Sequence, residues 1–176
     1  MPIAGAEAMS AIPRSHPLVD DHHMSLRLAN FPLPEQHLIP IGLATLLHWL
    51  RPQRLPLPGL VRHAAGWPLV AAGWAIALWA TRAADEVPLS SPNELVRTGP
   101  YAISRNPMYL GWTLAHLGAA VLTGSAWIVG SLPVALVLNH WQILSEERRL
   151  SETFGAEFAE YFKAVPRYLI LHSAGD

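Results

Sequence analysis

The sequence predicts an all-α, multi-span membrane helical bundle of about four transmembrane helices, with a C-terminal helical hairpin and a cytoplasmic amphipathic helix. Three observations carry this. Only 14% of the 176 residues are charged and 51% are hydrophobic, at a mean hydropathy of +0.24, whereas soluble domains carry about 25% charged residues. The deficit is concentrated, because no Asp, Glu, Lys or Arg occurs from 106 to 145 or from 63 to 81. The longer of these stretches also contains a turn sequence near its middle.

Residues 1–34 mix Pro, His, Asp and Ser with scattered apolar residues and show no sustained period. They read as a disordered or surface-lying leader, with no basic start and apolar run of a signal peptide. Residues 35–176 form the membrane domain. Its first candidate span, 38–50, contains Pro40 and His48, and its length also suits a core helix or a re-entrant segment. The second, His63–Thr81, matches the roughly 20 apolar residues that cross a hydrocarbon core of about 30 Å.

A single helix over 106–145 would extend about 60 Å, twice that thickness. Gly124 supplies a turn, so the stretch divides into spans near Met108–Leu122 and Ala126–Leu144. Gly111 and Gly118, with the alanines between them, are expected to let two helices approach closely. Pro133 is expected to bend the second arm. Beyond it, Leu150, Phe154, Phe158, Tyr161 and Phe162 recur at helical spacing, and Gly155 breaks or bends that helix. Its aromatic face can lie on the membrane or over a site; both placements are open.

The formal net charge of −1 gives no electrostatic footprint for nucleic acid. The absence of cysteine excludes disulfides, thiolate metal sites and a Cys nucleophile. With four spans, Arg14, Arg27, Arg82, Arg97, Arg105, Arg148, Arg149, Lys163 and Arg167 share one face. Arg51, Arg54 and Arg62 lie on the other. The positive-inside rule then places both termini and the 82–107 loop in the cytoplasm.

A hairpin returns the chain to the face it left. Arg105, Asn106 and Tyr109 at its entry are therefore expected beside Glu146 and Glu147 at its exit. Taken singly, such residues read as interfacial anchors. Together, polar groups converging at the edge of a water-excluding bundle suggest a ligand site. An acidic pair there favours a cation, or a hydroxyl or amino donor. Pro107 suits the first turn of a helix, with Asn106 as its cap.

These residues carry a resemblance. Thr98-Gly99-Pro100-Tyr101, then Arg105-Asn106-Pro107-Met108-Tyr109 and Gly111, then Glu146-Glu147, Leu150, Phe154-Gly155, Tyr161 and Val165-Pro166-Arg167 resemble the integral-membrane methyltransferases. That group includes isoprenylcysteine carboxyl methyltransferase and the phospholipid N-methyltransferases. The likeness covers about residues 93–168. It implies S-adenosylmethionine as cofactor, held at the cytoplasmic end of the bundle, and an acceptor that is lipophilic or a small molecule. By that resemblance Leu95, Val96, Tyr101, Asn106, Pro107, Met108, Tyr109 and Glu146 would bind the cofactor, and Gln142 would face the substrate. Asn93 and Glu94 adjoin that set.

Two departures matter. Asn106 stands where the family most often has His. Gln142 stands where the prenylcysteine enzymes place an arginine, which argues against a prenylcysteine carboxylate as acceptor. The chemistry suits these residue types, since Glu146 can pair with an amino group or stabilise a sulfonium, and methyl transfer gains mainly from positioning. Where the acceptor must lose a proton, Glu147 is the nearest base. Arg105 can orient that acid, or bind the cofactor carboxylate or an anionic acceptor.

His16, His22 and His23 fall in the leader. His116 and His140 fall on the two arms of the hairpin, where a hydrogen-bonded helix contact is the plainer role; His140, six residues before Glu146, lies nearer the site. The sequence therefore predicts a multi-pass, S-adenosylmethionine-dependent membrane methyltransferase in contact with lipid. A non-catalytic membrane protein that keeps the hairpin as a structural or binding module is the alternative.

Overall fold

The computed structural model describes residues 34–84, 87 and 94–169. Nearly all of the leader, with its three histidines, lies outside them, as does Asn93. Five α-helices lie among the described residues, in order: α1 (Glu35–Leu50), α2 (Gly59–Ala84), α3 (Pro107–Thr123), α4 (Ala126–Phe154) and α5 (Ala156–Ala164). A 3₁₀ turn, Gly99–Ala102, precedes α3. No β-strand occurs among the described residues; a single bridge joins Arg54 to Ser125.

Helices α2 and α4 are long and apolar enough to cross a membrane, with only 22% and 28% of their apolar windows buried. Such low burial separates them from the core helices of soluble proteins. Their large apolar side chains point outward: Leu60, Trp67 and Trp74 on α2, Val134, Val137 and Trp141 on α4. The shorter α1 does the same with Ile39, Leu43 and Trp49. An apolar exterior of this extent marks a surface made to be covered.

The expected hairpin forms. Gly124 takes up a left-handed φ of 60° as the C-cap of α3, and Ser125 caps α4 by accepting from the Ile128 amide. Positive φ is cheap for glycine alone. Arg62 donates from Nε to the Leu122 carbonyl at 2.9 Å, satisfying one of the acceptors left at the end of α3. The loop before α2 is tied to the same turn, with Leu55 N donating to Gly124 O and Ala126 N to Gln53 O.

One expectation holds and one is corrected. Gly111 and Gly118 do let two helices approach closely, and the neighbour they face is α2. A β-carbon at Gly73 would meet Gly111 O at 2.5 Å, and one at Gly118 would meet the Val70 amide at 2.7 Å. The close small-residue seam thus joins α2 to α3 along Gly66, Gly73, Gly111 and Gly118. By contrast, α4 does not stop near Leu144. It continues through Pro133 and past the charged exit to Phe154, and only at Gly155, with φ of 51°, does the chain turn into α5. Glu146 and Glu147 are therefore fixed on a continuous helix.

Candidate functional site

Glycine again sets the approach to α3. Gly99 opens the 3₁₀ turn at φ 59°, and a β-carbon there would press on Ala83 at 3.0 Å and Trp79 Nε1 at 3.3 Å. Tyr101 then packs against Ala77, Ala80, Met108 and Trp112. Burial raises its hydroxyl well above the usual tyrosine range. Asn106 occupies the N-cap position of α3, but its side chain makes no capping bond. Instead Nδ2 donates to the Arg167 carbonyl at 3.3 Å, which also accepts from Ser104 Oγ at 3.1 Å. The expected cap is right in place and different in partner.

The apposition of hairpin entry and exit is direct. Tyr109 donates to Glu146 Oε1 at 2.6 Å, and Gln142 Nε2 donates to the same oxygen at 3.1 Å. Both bonds fall on Oε1. Gln142 reaches it because residues four apart share a helix face. The half-buried carboxylate is thus aimed by two neutral donors.

A second cluster lies beside the first. Arg105, its side chain 6% exposed, donates from Nη2 to Glu147 Oε1 at 2.9 Å, and Arg167 donates from Nη2 to Oε2 at 2.7 Å. Glu147 is therefore held between two guanidinium groups. Arg105 also donates to the Phe162 and Val165 carbonyls at 2.7 and 2.6 Å and stacks on the Phe162 ring with its carbon 4.0 Å from the centroid. These contacts bind the segment after α5 across the start of α3. The placement of the amphipathic segment over the hairpin ends follows from them.

Leu95 joins the cluster of Phe158, Tyr161 and Val165. Tyr161 donates to the Tyr101 carbonyl at 2.7 Å, and burial pushes its hydroxyl up to about 12. Leu95 and Val96 also line an open cavity of about 400 Å³ with Ala83, Ala84 and Arg97; Tyr109 and Glu146 do not reach it. The structure thus brings Tyr109, Gln142 and Glu146 together and places Arg105, Asn106 and Glu147 beside them. Leu95 and Val96 line the separate cavity instead. Arg167 and Ser104 belong to the arrangement and were not among the expected site residues. The signal for Arg167 is its place directly after Val165-Pro166, where an amphipathic helix ends and the chain turns back.

A family model described as phospholipid methyltransferase matches residues 61–157. That is more than half of the chain. The chain belongs to the phospholipid methyltransferase family. The matched segment runs from the start of α2 into α5, so it includes the glycine seam, Tyr109, Gln142, Glu146 and Glu147. The cobalt-zinc-cadmium resistance protein CzcN of Cupriavidus metallidurans is 33% identical over 76 residues, 43% of this chain and 35% of that protein. The nickel-cobalt-cadmium resistance protein NccN of Alcaligenes xylosoxydans xylosoxydans matches to the same extent. These matches cover about a third of the length of each relative. No solved structure matches the chain significantly.

Proposed function

We propose that this family member is a multi-pass membrane enzyme that transfers a methyl group from S-adenosylmethionine to a lipophilic or small-molecule acceptor. In this reading all of α1 to α4 lie in the bilayer, with residues 1–34 as a separate leader and the hairpin ends at the cytoplasmic face. The observation that carries it is the pair of donors, Tyr109 and Gln142, fixed on one oxygen of Glu146. A carboxylate aimed in this way suits a ligand with a cationic centre and an amino group. Tyr101, Asn106, Pro107, Met108, Leu95 and Val96 would complete the cofactor's surroundings.

When bound, the cofactor supplies an electrophilic methyl group on a sulfonium. The chain's own contribution is binding and orientation, since holding donor and acceptor in attack geometry removes much of the barrier to a displacement. Glu146 provides the anionic contact, and water exclusion by the bundle strengthens it. Glu147 is taken up by Arg105 and Arg167. We assign these three a positioning role: they hold the segment after α5 against the entry of α3.

Calorimetry of S-adenosylhomocysteine with the detergent-purified protein tests the reading. Binding is expected, and Glu146→Ala should abolish it while the protein stays folded. Absence of binding by folded wild type would overturn the enzyme reading in favour of a non-catalytic module. Labelled methyl transfer into separated lipid and water-soluble extracts then tests the acceptor; label confined to the water-soluble fraction would overturn a lipophilic one.

A further inference from the structure

A second polar tier lies deeper in the bundle. On α3, His116 is seven residues beyond Tyr109; on α4, Asn139 is seven residues before Glu146. Seven residues are nearly two turns, so this tier shares the inward face and sits about 10 Å further along. Its members are almost wholly buried: His37 is 2% exposed, His116 1% and Asn139 4%.

Hydrogen-bond accounting fixes the protons. Asn139 Nδ2 donates to His37 Nε2 at 2.8 Å, so that nitrogen is bare and His37 carries its proton on Nδ1. His37 Nδ1 then donates to His116 Nδ1 at 2.9 Å. His116 in turn carries its proton on Nε2, directed at Ser131 Oγ at 3.1 Å and the Ile128 carbonyl at 3.3 Å. One proton serves each ring. The one orphan is Asn139 Oδ1, buried without a hydrogen-bond partner.

Two imidazoles facing each other through Nδ1 hold together only with a single proton between them. A proton added to His116 Nδ1 places two N–H groups face to face. A proton added to His37 Nε2 can be accepted by Oδ1 if the amide turns, but the charge is then buried without a counter-ion. The titratable groups on the surrounding helices are otherwise placed. Glu35 is exposed at the start of α1, and His48 meets Ser125 Oγ at 3.0 Å at the other end. On α3 and α4, Tyr109 and Glu146 engage each other, Glu147 holds its two arginines, and His140 Nδ1 lies 2.7 Å from the Tyr168 hydroxyl.

Helix α1 buries only His37, Pro40 and Ala44, so the histidine contact is one of its few buried ties, beside the packing of Ala44 on Ala120 and Ile128. We propose that His37 and His116 form a proton-operated clasp that docks α1 on the α3–α4 hairpin at neutral pH and releases it in acid. The clasp is independent of the methyl-transfer reading. Its sign follows from the hydrogen bonds: the docked pair accommodates one proton on each ring, so a further proton opposes docking and acid favours release.

The absence of cysteine makes the test direct. Spin labels at Leu38→Cys and Val137→Cys, both half-exposed at the level of the clasp, report the α1–α4 distance in the full chain in nanodiscs. One narrow distance is expected at pH 8, and a longer second population at pH 5 that is absent from the His37→Gln, His116→Gln double variant. An unchanged wild-type distribution, a shift retained in the double variant, or a shift produced by Zn²⁺ and not by acid would each overturn the clasp. If the double variant does not fold, ring ¹⁵N shifts of the wild type decide. The clasp requires a proton on His37 Nδ1 and on His116 Nε2 at pH 8, and other tautomers would overturn it.

Discussion

Tyr109 and Glu146, 37 residues apart in sequence, meet at 2.6 Å across the open end of the α3–α4 hairpin. The contact exists because a charge-free stretch folds at Gly124 and returns its polar ends to one level. It also directs a carboxylate, since Gln142 donates to the same oxygen. Tyr109→Phe deletes the stronger donor and leaves the charge in place. Without that bond the carboxylate is no longer aimed from α3, so affinity for S-adenosylhomocysteine is expected to fall. Calorimetry on the purified variant checks this; unchanged affinity would detach Tyr109 from the ligand site.

The two adjacent glutamates should behave differently. Glu147 has a side chain 9% exposed between Arg105 and Arg167, and removing one partner of a buried ion pair typically costs about 3–5 kcal/mol because uncompensated charge remains. Glu147→Ala is therefore expected to lower the unfolding temperature markedly in detergent. The comparison is Glu157→Ala, which breaks an ion pair with Arg97 at exposures of 37% and 56%; solvent-exposed pairs contribute about 0–1 kcal/mol. Equal thermal shifts in the two variants would refute the assignment of Glu147 as a buried clamp.

Arg62 offers a test at the other end of the bundle. Its guanidinium is the donor to the Leu122 carbonyl beside the α3–α4 turn, and it also packs within 3.3 Å of where a β-carbon on Gly124 would stand. Arg62→Leu keeps apolar volume and removes the donor. Leaving a partly buried carbonyl unsatisfied costs about 1–3 kcal/mol, so thermal stability should fall while ligand affinity at the far end is retained. A loss of binding without a loss of stability would contradict this division.

Much of this arrangement is legible in the sequence. The 106–145 gap in charge, with a glycine near its middle, is enough to place Arg105, Asn106 and Tyr109 near Glu146 and Glu147. Other features depend on information that one chain's pattern does not hold. Gly111 and Gly118 announce a close helix contact, but a stripe of small residues does not specify which neighbour it faces, and α2 proves to be that neighbour. Asn106 can satisfy a helix end or a distant carbonyl equally well, and the returning Arg167 backbone decides between them. The charged residues after Leu144 read as the end of an apolar span. Helix propensity, however, does not stop where apolarity does, so α4 runs on to Phe154.

The α2–α3 seam yields the sharpest contrast between similar substitutions. At Gly73 a β-carbon would stand 2.5 Å from Gly111 O and 2.6 Å from the Ala115 amide, both backbone atoms that cannot swing aside. The helices must separate to accommodate it, and overpacking of this kind typically costs about 1–3 kcal/mol. Gly130 on α4 has nothing within 4 Å of its added β-carbon. Gly130→Ala should be neutral, or stabilising by about 0.4–1 kcal/mol through the loss of unfolded-state freedom. Thermal unfolding of both variants in one detergent measures the difference. If Gly73→Ala is as stable as Gly130→Ala, the close approach of α2 to α3 is wrong. The seating of Tyr101 against Ala77, Ala80, Met108 and Trp112, which depends on that approach, would then have to be rebuilt.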